Sequence, residues 1–370
     1  MPRVCFAPRA ASIALAGVVA VLGCDRTPPV AVIGYAFPPV GRPAVEVAQD
    51  ELAEWPPDGP DIRIVFDSIV PGDPADVEVE RAERFSLVPD LVGIVGHGGS
   101  RGSLAAAPVY NQMGIPQIVP IGTSRLLKNA GAWTFMLAPD DSAEGAFIGE
   151  FTVERLAARR VIIFYVDDEY GTGLRDGVVA ELRERRTALI AEVAIGFGSD
   201  FPTLVDAALI RGRPDVVISA ARWLETAKIA RLMWDRLGPV AVVAGDGAGQ
   251  TALLANEAGP VADSVYVVAF WHPDAADSLS RAFVARFERV IGQVPNSADA
   301  MSHDALMVLS RAIRTVGPSR AAIQRFLMDL GRNRPALAGI TGLISFAPDR
   351  RPRLFMTQIR QGQAILIGSN

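Results

Sequence analysis

Residues 91–125 read LVGIVGHGGSRGSLAAAPVYNQMGIPQIVPIGTSR, and their pattern decides the fold. The apolar run over residues 91–96 has the continuity of a strand covered on both faces. Gly96-His97-Gly98-Gly99-Ser100 makes a turn, and the spacing that follows predicts a helix over residues 102–113. A second apolar run, residues 117–121, ends in another small-residue turn, Gly122-Thr123-Ser124. Two strands therefore deliver two hydroxyl-bearing turns to one sheet edge. In open α/β sheets that edge, at the carboxyl ends of the strands, is where ligands sit.

The same alternation extends in both directions. Upstream, strands are predicted over residues 30–36 and 62–66, with helices over 44–55 and 76–87. Pro56-Pro57-Asp58-Gly59-Pro60 stops the first helix. Downstream the pattern restarts. An extended piece at 133–137 and a helix over 142–158 lead into strands at 161–166, 188–193, 215–219, 240–244 and 265–270. A helix from the end of the turn at 167–173 to about residue 186, and helices over 201–210 and 223–237, separate the first four of these. Such alternation means βαβ units and parallel sheets. Three helices then follow, at 275–291, 298–316 and 319–330, and short antiparallel strands close the chain at 339–346, 353–360 and 364–367. The expectation is an α/β protein of two Rossmann-like lobes.

Composition narrows the function classes. The chain has 370 residues, half of them apolar, and a formal net charge of −5. Positive and negative side chains are interspersed, so no basic stripe points to nucleic acid. Arg3 and Arg9 precede an apolar stretch, residues 10–22, that is too short to span a membrane. Val21-Leu22-Gly23-Cys24 follows and resembles a lipobox, in which the cysteine is lipidated and becomes the mature N-terminus. Residues 1–23 are thus expected to be a lipoprotein signal peptide, residues 24–29 a tether, and Cys24 the lipid anchor. Cys5 would leave with the signal, so no intramolecular disulfide could form.

The central stretch admits three chemistries. Gly98-Gly99-Ser100-Arg101-Gly102 fits G-x-S-x-G between a strand and a helix, and Asp246 and His272 follow in the order of a hydrolase triad. Only two strand–helix steps precede this serine, and a second full α/β run follows it, which is unlike a hydrolase. Metal binding has little support, since His97, His272 and His303 are the only histidines and none is at ligand spacing from another. Asp167-Asp168-Glu169 is either a cation loop or the cap of the next helix. The third reading is binding. The turn at Ser100 opens a helix and aims N–H groups and a hydroxyl outward, suited to a carboxylate. Thr123 adds a second hydroxyl. Asp246 is either a turn residue between two glycines or a carboxylate facing an ammonium group.

These features together resemble the branched-chain amino-acid (leucine/isoleucine/valine) binding proteins, the type I periplasmic receptors of ABC transporters. The resemblance rests on Asp67 with Asp73-Pro74, Val95-Gly96-His97 with Ser100, Tyr110, Gly114-Ile115-Pro116, Pro120 and Thr123. It continues through Pro139-Asp140-Asp141 with Gly145, Tyr170-Gly171-Thr172-Gly173, His303-Asp304-Ala305, and Gly339-Ile340-Thr341-Gly342 with Phe346. It implies a periplasmic-binding-protein fold of two lobes, residues 30–138 plus 272–337 and residues 139–271 plus 338–370, joined by three crossings near Leu137, Phe270 and Leu337. It also implies that Ser100 and Thr123 hold a ligand carboxylate with Gly122 beside it. The carbonyl of Ile121 and the carboxylate of Asp246 take the ammonium, and Tyr170 lies against the ligand from the second lobe. The protein would be a non-enzymatic, lipid-anchored extracytoplasmic receptor without a cofactor, working with a small-molecule ligand and an ABC permease. A ligand-sensing or envelope-regulatory lipoprotein is the alternative on the same fold. The chain departs from the family's pattern in its Pro-rich loop at 37–43 and at residues 56–60, which bear on side-chain specificity.

Overall fold

The computed structural model describes residues 28–69, 73–275 and 277–370. The expected signal peptide and the lipidation site Cys24 lie outside the described residues. The first lobe is built on five parallel strands: β1 (Val30–Phe37), β2 (Asp61–Ser68), β3 (Leu91–Gly96), β4 (Gln117–Val119) and β5 (Thr134–Met136). They lie in the order β2-β1-β3-β4-β5. Helices α1 (Arg42–Ala53), α2 (Ala75–Ser86) and α3 (Ser100–Met113) make the crossovers. β3 is buried at every position, as its unbroken apolar run requires. β2, at the edge, alternates between exposed and half-buried residues.

The second lobe repeats the plan. Its strands are β6 (Arg160–Val166), β7 (Ala188–Ile195), β8 (Val216–Ala220), β9 (Ala241–Ala244) and β10 (Val265–Ala269). Its helices are α4 (Asp141–Glu150), α5 (Glu169–Glu184), α6 (Phe201–Ile210), α7 (Trp223–Leu237) and α8 (Thr251–Ala258). The chain then passes through α9 (Ser278–Ile291), α10 (Ser297–Val316) and α11 (Arg320–Asp329), with α9 and α10 against α1, and α10 and α11 against β3. A separate hairpin, β11 (Leu337–Gly339) with β12 (Gly342–Ile344), precedes β13 (Phe355–Arg360) and β14 (Gln363–Ser369). β13 and β14 add antiparallel strands to the second sheet, giving the order β14-β13-β10-β9-β8-β6-β7.

Three details differ from the sequence reading. The expected single helix over residues 142–158 is α4 followed by a π-helical turn at Phe151–Arg155. α8 was not anticipated, because its short run of small and apolar residues lacks a clear helical stripe. The closing strands do not form one meander. They divide between the isolated hairpin and the second sheet.

The motif residues settle into structural roles around the crossings. Arg350 donates to the carbonyls of Leu137, at 2.5 Å, and Ala138, tying the first crossing to the third. Asp304, on α10, accepts from the Ile340 and Thr341 N–H groups at 2.9 and 2.8 Å. A Cβ at Gly339 would lie 2.7 Å from that carboxylate, which explains the pairing of His303-Asp304-Ala305 with Gly339-Ile340-Thr341-Gly342.

In both sheets the first strand of the lobe lies between its second and third, so the strand order reverses beside β1 and again beside β6. Ligands bind at such switch points. The helices that open there are α3, beginning at Ser100, and α5, beginning at Glu169.

Candidate functional site

On the first lobe, the turn after β3 is braced from beneath. His97 is fully buried, with Nδ1 2.6 Å from Glu78 Oε2 and Nε2 2.8 Å from the Tyr110 hydroxyl. Arg81 holds the same Glu78 oxygen at 2.7 Å and reaches Asp67 and Asp73. Ser103 Oγ donates to the His97 carbonyl at 2.8 Å. This network fixes the start of α3. Ser100 then joins the two turns: its Oγ accepts from the Thr123 and Ser124 N–H groups at 3.2 and 3.1 Å. The Thr123 and Ser124 N–H groups are therefore engaged within the protein, and the Ser100 and Thr123 hydroxyls remain to donate. Gly122 is required by closeness, since a Cβ there would lie 2.7 Å from Val119 and 3.4 Å from the Gly99 carbonyl carbon. Ile121 is half-buried beside it.

On the second lobe, Asp168 proves to be the cap of α5. Its carboxylate accepts from the Tyr170 and Gly171 N–H groups and pairs with Arg222 at 2.7 Å. Asp140 caps α4 in the same way and pairs with Lys128. The Tyr170 hydroxyl accepts from the Gly247 N–H at 2.9 Å. A Cβ on Gly245 or Gly247 would come within 2.7 Å of that hydroxyl, so the turn 245–247 is glycine-rich because it sits on the tyrosine.

The two lobes meet at a cluster of carboxyls that sequence reasoning did not assemble. Asp141, at the start of α4, donates its N–H to the Thr123 carbonyl at 2.9 Å and is fully buried. Glu144, one turn on and also fully buried, accepts the Asp246 N–H at 2.7 Å. Both oxygens of Asp141, Oε2 of Glu144, Oδ1 of Asp246 and the hydroxyl of Thr123 are out of solvent without a hydrogen-bond partner. A buried polar atom without a partner costs about 1–3 kcal/mol, and more when charged. Burial pushes Asp246 and Asp141 each up to about 7 and Glu144 well above its usual range, with the Asp246 charge adding to Glu144 and Asp141. Among the described residues no group of three or more His, Cys, Asp or Glu is arranged to hold a metal ion. Asp141 and Glu144 carried no local signal, since an acidic residue in a first helical turn ordinarily serves the helix dipole.

A pH dependence follows. Below about 3.8 Asp141 is protonated both folded and unfolded. Between 3.8 and about 7 the unfolded chain has released a proton that the folded protein keeps, so this group's contribution to stability falls as pH rises through that window. The unliganded protein is expected to lose melting temperature from about pH 5 to pH 8, and Asp141→Asn to flatten that slope. Equal slopes for both proteins in scanning calorimetry would refute this.

Besides Lys128–Asp140, an ion pair joins the lobes from Arg101 on α3 to Glu169 on α5 at 2.9 Å. Both side chains are about 40% exposed (41% and 38%), so the pair contributes little by itself. The structure does not assemble the hydrolase triad. His272 Nε2 lies 3.1 Å from the Ala364 carbonyl, and its Nδ1 accepts from the Asp274 N–H. The Ser100 oxygen is held by backbone donors.

The chain thus has two α/β lobes, each with a switch point where a helix opens, and buried polar groups where the lobes meet. The chain matches the model of the periplasmic binding protein family over residues 40–360 and belongs to that family. It is 26% identical over 228 residues to Leu/Ile/Val-binding protein homolog 1 of Brucella abortus, a match that spans 60% of each chain. Its fold is that of the leucine-binding protein LivK of Thermotoga maritima, with a TM-score of 0.82 at 22% identity, covering 92% of this chain and 98% of that one. LivJ of Streptococcus pneumoniae in complex with isoleucine aligns at 0.80 and 19% identity, covering 91% and 99%. A solute-binding protein of Rhodopseudomonas palustris in complex with 4-hydroxybenzoate aligns at 0.81 and 12%, covering 92% and 97%.

Proposed function

We propose that this protein is the extracytoplasmic solute receptor of an ABC transporter, anchored through a lipid on Cys24, and that it closes on an amino acid or a similar small amphipathic solute. Among the described residues no helix is long and apolar enough to cross a membrane. The lobes in this reading are residues 30–138 plus 272–337 and residues 139–271 plus 338–370. Hinge motion at the three crossings would bury the solute and present a closed surface to a permease.

One observation carries the reading: buried, unpartnered oxygens of Thr123, Asp141, Glu144 and Asp246 stand together between the two switch points. Acceptors left unpaired at such cost are accounted for by a solute that donates to them. Asp246 and the Ile121 carbonyl take its ammonium. Ser100 and Thr123 take its carboxylate, with Gly122 beside it, and Tyr170 lies against it. The Leu/Ile/Val naming of the Brucella relatives supports an amino acid, while the benzoate-type ligand of one structural neighbour shows that the fold also serves aromatic acids.

The test is a thermal-shift screen over amino acids, amides, aromatic acids and sugars. Binding to the folded state alone adds about 2.7 kcal/mol at a hundredfold excess over Kd. Stabilisation by an amino acid is expected. A shift confined to sugars or aromatic acids would remove the amino-acid assignment.

A further inference from the structure

The cluster holds more carboxyl groups than the single ammonium of an α-amino acid would satisfy. Asp141, Glu144 and Asp246 are three carboxyls within one group. Arg222, whose charge bears on Asp246, is taken by Asp168 and lies over the Tyr170 ring at 5.7 Å. Lys128 belongs to Asp140, Arg101 to Glu169, and Arg350 to backbone carbonyls at the crossing. Thr123 is 1% exposed, and its hydroxyl lies out of solvent without a hydrogen-bond partner. It is an independent buried group that points to something absent from the protein itself. On the other side, the anion-binding half is thinner than it first looked, because Ser100 Oγ already accepts the Thr123 and Ser124 N–H groups.

We propose that the cleft selects a small solute with two cationic nitrogen centres, a diamine or a diamino acid, with Glu144 acting beside Asp246 as the acceptor for the second centre. This rests on the receptor reading above. The physical reason is charge matching. A single ammonium satisfies one carboxylate and leaves the others either ionised without a partner or holding protons. A second ammonium replaces those protons with N–H donors. An aromatic carboxylate would instead add acceptors to a site that lacks donors.

The test is calorimetry of the full mature chain with lysine, ornithine and 1,4-diaminobutane against leucine, isoleucine and benzoate. The dicationic solutes are expected to bind at least about tenfold tighter than leucine. Glu144→Gln is expected to bring that preference within about threefold, by weakening lysine and the diamine more than leucine. A merely structural role for Glu144 would weaken all solutes together. Leucine binding as tightly as lysine and the diamine in the unaltered protein would overturn the inference and leave the receptor reading standing. So would a preference unmoved by Glu144→Gln. Diaminobutane binding as well as lysine identifies a diamine site, and lysine alone binding identifies a diamino-acid site; either supports the proposal. If none of the six solutes binds, both readings fall.

Discussion

Asp246→Ala is expected to abolish measurable uptake of any amine-bearing solute. The carboxylate stands at the end of β9, its N–H fixed by Glu144 at 2.7 Å and its neighbour Gly247 fixed by the Tyr170 hydroxyl at 2.9 Å. It is therefore pre-aimed, and little ordering cost attends binding. Truncating one partner of a buried charged hydrogen bond costs about 2–5 kcal/mol, a loss of roughly 30- to several-thousandfold in affinity. The unliganded variant is expected to melt no lower than the original protein, because the substitution removes a carboxyl whose burial pushes it up to about 7. Loss of binding with an unchanged or raised melting temperature separates recognition from folding. Unchanged affinity by calorimetry would withdraw the ammonium role from Asp246.

The second large effect lies where no solute touches. α4 and α5 cross through glycines: a Cβ on Gly145 would lie 2.5 Å from both the Gly177 carbonyl carbon and the Val178 nitrogen. Those are backbone atoms and cannot swing aside, so Gly145→Ala must part the two helices. Overpacking of this kind costs about 1–3 kcal/mol and sometimes more, and the upper end is expected here. The same helices carry Asp141 and Glu144 on one side and Tyr170 on the other, so affinity should fall with stability. Urea denaturation checks the first, with Gly368→Ala as the control, since nothing lies within 4 Å of a Cβ there. A midpoint equal to that of the control would show that the crossing tolerates the methyl group.

The fold was legible because its signals are local and periodic. β3 announces burial on both faces by an unbroken apolar run, and β2 announces an edge by alternation. α6 and α7 have the expected bounds; in the structure Asp200 caps α6 and Gly238 follows the last turn of α7. The Asp167-Asp168-Glu169 loop left a choice between cation and cap, and the Asp168 bonds to Tyr170 and Gly171 decide for the cap. α8 was missed because eight residues with few polar contrasts have no readable stripe.

The site was legible only in part. Thr123, Tyr170 and Asp246 were singled out from the sequence, and the structure brings their surroundings into one cluster. Ser100 was singled out too, but its oxygen spends its acceptor capacity on the next turn. Glu144 went unnoticed. On an N-terminal helical turn it has the pattern of a solvated acid, and nothing nearby in sequence says otherwise.

The sequence by itself determined two α/β runs, their sheet edges and most of their caps, since each depends on residues within about four positions of one another. Only the tertiary structure decided which polar groups share a space. Glu144 meets the Asp246 N–H across 102 positions, and Tyr170 meets Gly247 across 77. No periodicity records such pairs. They exist because the chain segments after β4, β6 and β9 meet the start of α4 there, and their meeting removes water from carboxyls that the chain, read in order, would leave solvated.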